Sequence, residues 1–288
     1  MTILILGKSG QMGRALASLL GDKAYSAGRD EADFTSPASF TPLIERVNPT
    51  AIINAVAYTT VDKAEGEEAL AYQVNAEAPA ALARLAKVRG IPLVHYSTDY
   101  VFDGSGLRPF QESDISTPLN AYGRSKRAGE EAIEALGGAY LIFRTSWVFD
   151  GTGKNFLTTM LQLGAERTEV SVVADQVGAP SYAPHLAAAT MEALICATHL
   201  DAFPSGIYHM CNAGETSWHG FATAIFEEAR KSGLHLNIKT CRPIPSSEYP
   251  TPAIRPLNSR LNCGKLADVL DVTLPDWREG VRAAVGQK

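Results

Sequence analysis

The start of the chain constrains the fold more than any other feature. The apolar run from Ile3 to Leu6 leads directly into glycines at positions 7, 10 and 13, and helical periodicity follows from Arg14 to Leu20. This order predicts a strand, a tight turn and a helix. Glycines would let the backbone approach a pyrophosphate closely, and the amide groups at the start of the helix would bind its oxygens. The spacing differs by one residue from the commonest dinucleotide-binding fingerprint, so a tight turn without a ligand is the alternative.

Three further apolar runs repeat the pattern of a strand followed by a helical or turn-like segment. They are Ala51 to Ala55, Pro92 to Tyr96 and Tyr140 to Arg144. Between the first two, Ala69 to Val88 is rich in Ala, Leu and Glu and predicts a long helix that is broken or bent around Pro79. This alternation indicates an α/β fold, with a doubly wound parallel sheet covered by helices on both faces.

The regular alternation weakens in the second half of the chain. Asp175 to Pro184 and Pro243 to Pro256 are predicted to be loops, whereas Ser217 to Lys231 and Arg278 to Val285 are predicted to be helices. These segments suggest a smaller second lobe that holds a substrate.

The chain shows no flexible linker between two halves, so we expect the two lobes to be interleaved. We assign residues 1–150 to a dinucleotide-binding domain, completed by segments near 180–212. Residues 151–288 are assigned mainly to the substrate-binding lobe.

The composition excludes several classes of protein. With 288 residues, of which 45% are hydrophobic and 20% charged, the chain can bury a large core. A net charge of -5 and the lack of a basic run argue against a nucleic-acid partner. No stretch reaches membrane-spanning length, and the short apolar start lacks the basic region of a signal peptide. The four cysteines are widely spaced, so we expect neither a disulfide framework nor a bound metal, and a reducing cytoplasm fits best.

Tyr122 and Lys126 lie one helical turn apart in the segment from Asn120 to Lys126. A phenol with an ordinary pKa of about 10 is a poor acid at neutral pH, but an ammonium group roughly 6 Å away on the same helix face would favour its anion. The pair therefore suggests a proton donor beside a bound nicotinamide, with Lys126 also holding the cofactor ribose. Tyr and Lys at this spacing also occur by chance on solvated helix faces, which is the alternative.

Hydroxyl groups follow one of the apolar runs. Ser97, Thr98 and Asp99 would lie at the carboxyl end of a strand, where open α/β sheets bind ligands. We expect Thr98 to hydrogen-bond a substrate carbonyl while Tyr122 protonates the forming alkoxide. A strand end or a helix cap is the alternative for these hydroxyls. His95, inside the run, is interpreted as a packed histidine rather than a base.

Arg29 follows the presumed second strand, and no acidic residue precedes it where a ribose 2'-hydroxyl would be captured. An arginine there favours the extra phosphate of NADPH, with NADH kept as a second donor, and a solvated surface arginine is the alternative. Asp33 and Phe34 could bracket an adenine, or Phe34 belongs to the core. The residues predicted to bind the cofactor are Gly7, Ser9, Gly10, Gln11, Met12, Gly13, Arg29, Asp33, Phe34, Ala55, Ala57, Tyr58, Tyr122 and Lys126.

Together these residues resemble the extended short-chain dehydrogenase/reductases, most closely the family of dTDP-4-dehydrorhamnose reductases. The resemblance extends over nearly the whole chain. It implies a Rossmann-type domain with a smaller substrate lobe, and reduction of the 4-keto group of dTDP-4-dehydro-L-rhamnose by NAD(P)H. It also implies that Thr98, Tyr122 and Lys126 are catalytic. Further segments that carry it are Ser97 to Gly104, Arg144 to Phe149, Asp175 to Pro180 and Arg255 to Ser259.

A nucleotide-sugar needs an aromatic face for its base or sugar and a cation for its diphosphate. Trp147 could stack on the ligand, and Arg255, in a loop-like stretch, could make a bidentate contact to a phosphate. A core aromatic and a surface salt bridge are the respective alternatives. Asn155 and Gln176 are weaker candidates, because amides in loops often only close turns. The other residues predicted to bind the substrate are Ser97, Thr98, Asp99 and Tyr122.

Two departures from related proteins refine the expected function. Nucleotide-sugar dehydratases carry an acidic residue two places after the catalytic threonine, where this chain has Tyr100, so simple reduction is favoured over elimination. Some members of the family form magnesium-linked dimers, but the segment from Gln11 to Leu20 contains no carboxylate. We therefore expect activity without added metal, in a monomer or a homodimer.

Two rival functions are retained. One is a noncatalytic NADP-binding regulatory subunit that resembles that of methionine adenosyltransferase, because that protein keeps the nucleotide fold. The other is a reductase or epimerase of a different nucleotide-sugar.

Overall fold

The computed structural model describes residues 2–287 and has a central parallel sheet of six strands. The strands in the described residues are β1 (Ile3–Leu6), β2 (Ala24–Ala27), β3 (Ala51–Asn54), β4 (Leu93–Thr98), β5 (Tyr140–Thr145), β6 (Val148–Phe149), β7 (Glu169–Val173), β8 (Val177–Gly178), β9 (Ser181–Tyr182), β10 (Gly206–His209), β11 (Thr216–Ser217), β12 (Thr240–Ile244) and β13 (Asn258–Ser259). The order of strands across the central sheet is β10, β5, β4, β3, β1, β2.

The central strands are buried on both faces. All residues of β1, β3 and β4 are buried, which is why the sequence shows continuous apolar runs there rather than alternation. The register places Asn54 beside both Leu6 and His95, and Thr98 beside Thr145. The carboxyl ends of β1, β3, β4 and β5 therefore meet along one edge of the sheet, where ligands of such folds bind.

Helices cover both faces of the central sheet, so the predicted doubly wound α/β fold is confirmed. The helices in the described residues are α1 (Gln11–Leu20), α2 (Phe40–Val47), α3 (Val61–Ala64), α4 (Glu68–Tyr72), α5 (Ala78–Arg89), α6 (Ala121–Leu136), α7 (Phe156–Glu166), α8 (Ala183–His199), α9 (Trp218–Lys231), α10 (Gly264–Leu270) and α11 (Trp277–Val285). Side chains of α1 and α8 pack on one face, and those of α2, α5 and α6 pack on the other. No helix in this part of the chain is both long and apolar enough to cross a membrane.

The long helix expected from Ala69 to Val88 is interrupted by a π turn at Gln73–Glu77, between α4 and α5. Pro79 follows at the start of α5 and has no N–H group to donate to the preceding turn. The break therefore lies just before the proline. A Cβ at Gly129 of α6 would collide with the Asn75 carbonyl of this turn, so the π turn fixes how closely α6 approaches.

Helix α8 and strand β10 were not predicted from the sequence. Helix α8 packs against α1, and β10 pairs with β5 so that Ile207 lies beside Ile142. Both elements belong to the large lobe although they come from the second half of the chain. We therefore propose that the dinucleotide-binding domain comprises residues 1–150 together with residues 183–212.

The smaller lobe is built from α7, α9 and α11 around one apolar cluster. Strand β7 pairs with β12, and β8 pairs with both β11 and β13. The prediction that 175–184 is a loop was wrong in part, because β8, β9 and the start of α8 lie within it. The loop expected from Pro243 likewise begins with the last two residues of β12. Two-residue strands are too short to produce a periodic pattern, which is why the sequence did not reveal them.

Candidate active site

The tight turn between β1 and α1 requires glycine at two of its positions, Gly7 and Gly13. Gly7 has a φ of +97°, and a Cβ at this position would lie 3.0 Å from the Val56 side chain. At Gly13 a Cβ would collide with the backbone of Gly7. The N-cap of α1 is Gly10, which brings no capping side chain. The first amide groups of α1 are therefore available to an anion such as a pyrophosphate.

Two adjoining cavities flank this turn. The outer cavity has a volume of about 370 Å³ and the central cavity one of about 420 Å³. Ser9, Gly10, Ala55, Val56 and Ala57 line both of them, so the two form one cleft across the carboxyl edge of the sheet. Predicted cofactor residues in the outer cavity are Gly7, Arg29, Asp33, Phe34 and Tyr58, and those in the central cavity are Gln11, Met12, Tyr122 and Lys126.

Arg29 lies at the mouth of the outer cavity, with 81% of its side chain exposed and a nitrogen 3.7 Å from Asp33. Asp33 accepts hydrogen bonds from the backbone N–H and the hydroxyl of Thr35, which lower the pKa of its carboxyl group. Phe34 is only 4% exposed and packs edge-on against Phe40. It is therefore a core residue that contributes part of the cavity wall.

Tyr122 and Lys126 are on the buried face of α6, beside the central cavity. Burial raises the pKa of the Tyr122 phenol to about 12, the side chain of Thr98 opposes this shift, and Asp99 adds to it. The expectation that Lys126 lowers the pKa of Tyr122 is therefore wrong for this structure. The reason is that the amine of Lys126 is directed toward β4, where its Nζ lies 2.6 Å from the Tyr96 carbonyl oxygen and 3.1 Å from Nε2 of His95.

Lys126 is itself an unusual amine. Its side chain is 1% exposed, and burial lowers its pKa to about 8. His95 is fully buried and contacts Asn54 as well as Lys126, which agrees with the interpretation of a packed histidine. Asn54 and His95 thus form a layer beneath Lys126 that the sequence analysis did not identify.

Ser97, Thr98 and Asp99 lie at the end of β4, as predicted. Ser97 lines the central cavity. The Thr98 hydroxyl donates to Oδ1 of Asp99 over 3.0 Å and accepts from the Tyr100 N–H, so it also caps a short 3-10 turn. Burial raises the pKa of Asp99 to about 6. The structure brings Thr98, Tyr122 and Lys126 together at one edge of the sheet.

A third cavity, the lobe cavity, has a volume of about 470 Å³ and lies on the smaller lobe. Two predicted residues, Gln176 and Arg255, line it. Its walls are otherwise mostly apolar. Lining residues that were not identified from the sequence include Arg167, Trp218 and Tyr249.

Trp147 is not among the residues that line the lobe cavity. Its ring stacks on Trp218 at a centroid distance of 3.8 Å, so that face is covered, and its φ of +48° is unusual for a bulky residue. Trp218 takes the place expected for Trp147 in the cavity wall. Gln176 accepts a hydrogen bond from the indole N–H of Trp218 and donates to Ser246, so it holds this ring in place. Trp218 is the first residue of α9, and nothing in the sequence around it predicted that it would line a cavity.

Asn155 is engaged as the N-cap of α7. Its side-chain oxygen accepts from the Thr158 N–H, and its amide nitrogen donates to Asp150 and to the Thr152 carbonyl. This turn-closing role was the alternative given for it, and we leave Asn155 out of the proposed site.

Arg255 makes a bidentate ion pair with Asp62 of α3, with distances of 3.0 and 2.9 Å. The guanidinium group holds the pKa of Asp62 below its usual range. The loop that carries Arg255 is also tied to the large lobe by Asn120, which donates to the Ile254 carbonyl oxygen. The same Asn120 side chain accepts from the Gly123 N–H and so caps α6. The predicted phosphate ligand thus faces the lobe cavity while paired with a carboxylate.

Comparison with known proteins agrees with this geometry. The sequence matches the model of the RmlD substrate binding domain over residues 1–288. The chain belongs to the RmlD family. The RmlD-family relatives include a dTDP-4-dehydrorhamnose reductase of Burkholderia thailandensis, which is 47% identical over 99% of this chain and 98% of its own. The enzyme of that name from Escherichia coli K12 is 43% identical over 100% of this chain and 98% of its own.

Solved structures support the same RmlD-family fold. The crystal structure of a dTDP-4-dehydrorhamnose reductase from Bacillus anthracis in complex with NADP has a TM-score of 0.92 and 33% identity, and covers 100% of this chain and 99% of that one. A UDP-glucose 4-epimerase from Thermus thermophilus in complex with NAD has a TM-score of 0.79 at 19% identity, covering 99% and 98% of the two chains. At 19% identity, the similarity to the epimerase shows only that the two chains share a fold.

Proposed function

We propose that this protein reduces the 4-keto group of dTDP-4-dehydro-L-rhamnose to give dTDP-L-rhamnose, with NADPH as the preferred hydride donor and NADH as a second one. The observation that carries the proposal is the convergence of Thr98, Tyr122 and Lys126 beside a cleft that begins at the glycine turn. Full-length relatives that bear the name of this reductase support it.

The residues present fit a dinucleotide. A Cβ would fill the backbone cradle at Gly7 and Gly13, and the amide groups of α1 face that cradle. When bound, the reduced nicotinamide supplies a hydride to the carbonyl carbon. Arg29 would meet a phosphate on the adenosine ribose, and Tyr58 with Phe34 would flank the adenine.

The chain supplies the proton and the polar contacts. The Thr98 hydroxyl, which donates to Asp99 in the structure, would turn its hydrogen to the carbonyl oxygen. The O–H of Tyr122 would donate its proton to that oxygen as negative charge develops. The phenol keeps its proton at neutral pH because its pKa is about 12. It therefore enters the reaction as an acid, and the developing alkoxide is a strong enough base to take the proton.

Purified protein incubated with NADPH and dTDP-4-dehydro-L-rhamnose tests the proposal. Stoichiometric oxidation of NADPH with formation of dTDP-L-rhamnose supports a reductase. Tight NADPH binding without turnover would instead support a regulatory subunit. Turnover only with a different nucleotide-sugar, or interconversion without net oxidation of cofactor, would point to the second rival.

Arg29→Ala tests the preference for NADPH. We expect KM for NADPH to rise about tenfold and KM for NADH to change less than about threefold, because a charge-assisted contact to a phosphate contributes roughly 1.5–3 kcal/mol. Steady-state kinetics with both cofactors measures this. Arg46→Ala is the control, because Arg46 is exposed nearby but is bound to Glu31. Equal changes in both constants would exclude Arg29 from recognition of the phosphate.

Arg255→Gln tests the contact to the substrate diphosphate. We expect KM for the nucleotide-sugar to rise about 10- to 100-fold with kcat nearly unchanged, because the contact is equally strong before and during the reaction. Arg242→Gln is the control, because Arg242 is an exposed cation of the same lobe whose nitrogen lies 4.0 Å from Glu169. A KM for Arg255→Gln that equals that of the wild type would place the diphosphate elsewhere.

The state of the cysteines indicates the compartment in which the protein works. The four cysteines are free thiols, including Cys211 and Cys263, whose sulfur atoms lie 3.5 Å apart. Two thiols that close would be oxidised readily in a secretory compartment, so we place the protein in the reducing cytoplasm. The nucleotide-sugar is the partner that the lobe cavity is proposed to bind.

A further inference from the structure

Two cysteine side chains meet at a fourth cavity, the thiol cavity, which the proposed reaction does not use. This cavity has a volume of about 340 Å³, and both Cys211 and Cys263 line it. The two residues are 52 positions apart in the chain, yet their sulfur atoms lie 3.5 Å apart. Among the described residues, this is the only pair of thiols in such contact.

The backbone on both sides holds the two sulfur atoms near each other. Cys211 comes two residues after the end of β10, and Cys263 directly precedes α10. The segment before Cys263 is fixed by a parallel bridge between Leu261 and Phe110, and the Asn262 N–H donates to the Phe110 carbonyl oxygen over 2.8 Å. A disulfide bond is about 2.05 Å long, so the sulfurs need to approach by about 1.5 Å, which rotation about a Cα–Cβ bond provides.

The two thiols differ in exposure and therefore in ease of ionisation. Cys211 is only 5% exposed, whereas Cys263 is partly exposed. The Cys211 thiol donates a hydrogen bond to the sulfur of Cys263, which lowers the pKa of Cys263 although burial and Glu112 oppose this. The same hydrogen bond, burial and Asp99 raise the pKa of Cys211. Because the thiolate is the nucleophilic form of cysteine, Cys263 is the attacking group and Cys211 keeps its proton.

The walls of the thiol cavity select the kind of reagent that can enter. Its charged lining residues are Glu215 and Arg260, and these two pair with each other at 2.7 Å. The guanidinium group of Arg260 also donates to the Asn258 side chain. A cavity whose charges are already paired favours a small uncharged reagent over a large anionic one such as glutathione disulfide.

We propose that Cys263 and Cys211 form a site of two-electron oxidation by a hydroperoxide, which ends in a reversible disulfide bond. In the first step the Cys263 thiolate attacks a peroxide oxygen, so that an S–O bond forms, the O–O bond breaks and hydroxide leaves. In the second step the Cys211 thiol loses its proton and its sulfur attacks the sulfenic acid. The S–S bond forms, the S–O bond breaks, and a second hydroxide leaves. With hydrogen peroxide, the protons of the two thiols convert both hydroxides to water, and the sulfurs lose the two electrons that the peroxide gains.

The disulfide bond would join the two ends of a segment that leaves the large lobe and returns to it. Between Cys211 and Cys263 the chain forms α9 and β12 and carries Arg255. A cross-link that closes a long loop restricts the unfolded chain, so we expect oxidation to raise the Tm by about 4–10 °C. A lower Tm after oxidation would show that the fold resists the bond, and would contradict the proposal.

Mass spectrometry of the whole protein treated with one molar equivalent of hydrogen peroxide tests the site. Digestion of the unreduced, alkylated protein with trypsin and chymotrypsin places the four cysteines in four different peptides. We expect a linked pair of peptides that holds Cys211 and Cys263, is two hydrogens lighter than the separate peptides, and disappears on reduction with dithiothreitol. Oxidation of Cys196 or Cys241 before this pair would overturn the proposal.

Single substitutions test the order of attack. In Cys211→Ser the sulfenic acid at Cys263 has no thiol to resolve it, so we expect dimedone, a reagent for sulfenic acids, to label Cys263. In Cys263→Ser we expect neither a disulfide bond nor labelling of Cys211, because that thiol is buried and keeps its proton. Labelling of Cys211 without labelling of Cys263 would reverse the assigned roles and overturn the proposal.

Cys241→Ser is the matched control. Cys241 is also a partly exposed thiol, but its polar neighbour is Thr223 rather than a second cysteine. We expect this variant to form the bond between Cys211 and Cys263 as the wild type does, and loss of that bond would contradict the proposal. If a variant does not fold, the peptides of the wild type still decide. Inactivity of the wild type toward the nucleotide-sugar would reject the proposed function without affecting this result.

Discussion

Replacing Tyr122 with phenylalanine is expected to lower kcat by about 10²- to 10⁴-fold, the range found for loss of a general acid. The reason is that the phenol is the only proton donor that we assign to the forming alkoxide. The Kd for NADPH should change less than about threefold, since the aromatic ring that lines the central cavity is kept. NADPH oxidation at saturating substrate measures kcat, and fluorescence titration measures the Kd.

Tyr96→Phe provides the matched comparison for Tyr122→Phe. Tyr96 is also a buried tyrosine, but its hydroxyl is 2.7 Å from the Thr190 hydroxyl of α8 and so is already engaged. We expect this variant to lose about 1 kcal/mol of stability and to keep kcat within about threefold of the wild type. If Tyr122→Phe kept kcat at the wild-type value, Tyr122 would not be the acid.

Replacing Glu130 with alanine is expected to reduce the free energy of unfolding by about 3–5 kcal/mol. Glu130 and Arg144 are both at most 1% exposed, and two nitrogens of the arginine bond the carboxylate at 2.8 and 2.7 Å. Removal of the carboxylate leaves a buried guanidinium group without its counter-charge. Urea unfolding followed by circular dichroism measures the loss. Glu134→Ala is the control, because Glu134 is an exposed carboxylate on the same helix, and should cost less than about 0.5 kcal/mol.

The same ion pair predicts how stability depends on pH. Burial alone would raise the pKa of Glu130, but the hydrogen bonds and charge of Arg144 outweigh it and hold the pKa below its ordinary value of 4.5. A depressed pKa means that this stabilisation is complete above about pH 4.5 and is lost as the pH falls through the folded-state pKa. The Glu130→Ala variant should therefore lose less stability on acidification than the wild type. An equal loss of stability on acidification in the two proteins would contradict this prediction.

Features that depend on neighbours in the sequence were predictable. The strands β1, β3, β4 and β5 are buried on both faces and so appear as continuous apolar runs. The glycine turn and the pair Tyr122 and Lys126 are likewise local, because a strand–turn–helix and a one-turn spacing can be recognised from a few consecutive residues. These features were sufficient to place the candidate site at the carboxyl edge of the sheet.

Features that depend on distant residues were not predictable. Trp147 is covered by Trp218, and Arg255 is paired with Asp62, and both partners are remote in sequence. The direction of the Lys126 amine was missed for the same reason, because its contacts to β4 depend on how α6 lies on the sheet. The spacing of two residues along a helix gives the distance between their side chains. It does not show which groups of other elements those side chains contact instead.

The Asn120 side chain gives the two halves of the site a common anchor. One amide group fixes both the first turn of the helix that presents the acid and the loop that presents Arg255. If a diphosphate displaces Asp62 from Arg255, as the proposed function implies, a movement of that loop would be transmitted through Asn120 to the start of α6. Recognition of the nucleotide and delivery of the proton would then be mechanically linked, and we expect a ligand without its diphosphate to meet a less well-aligned phenol.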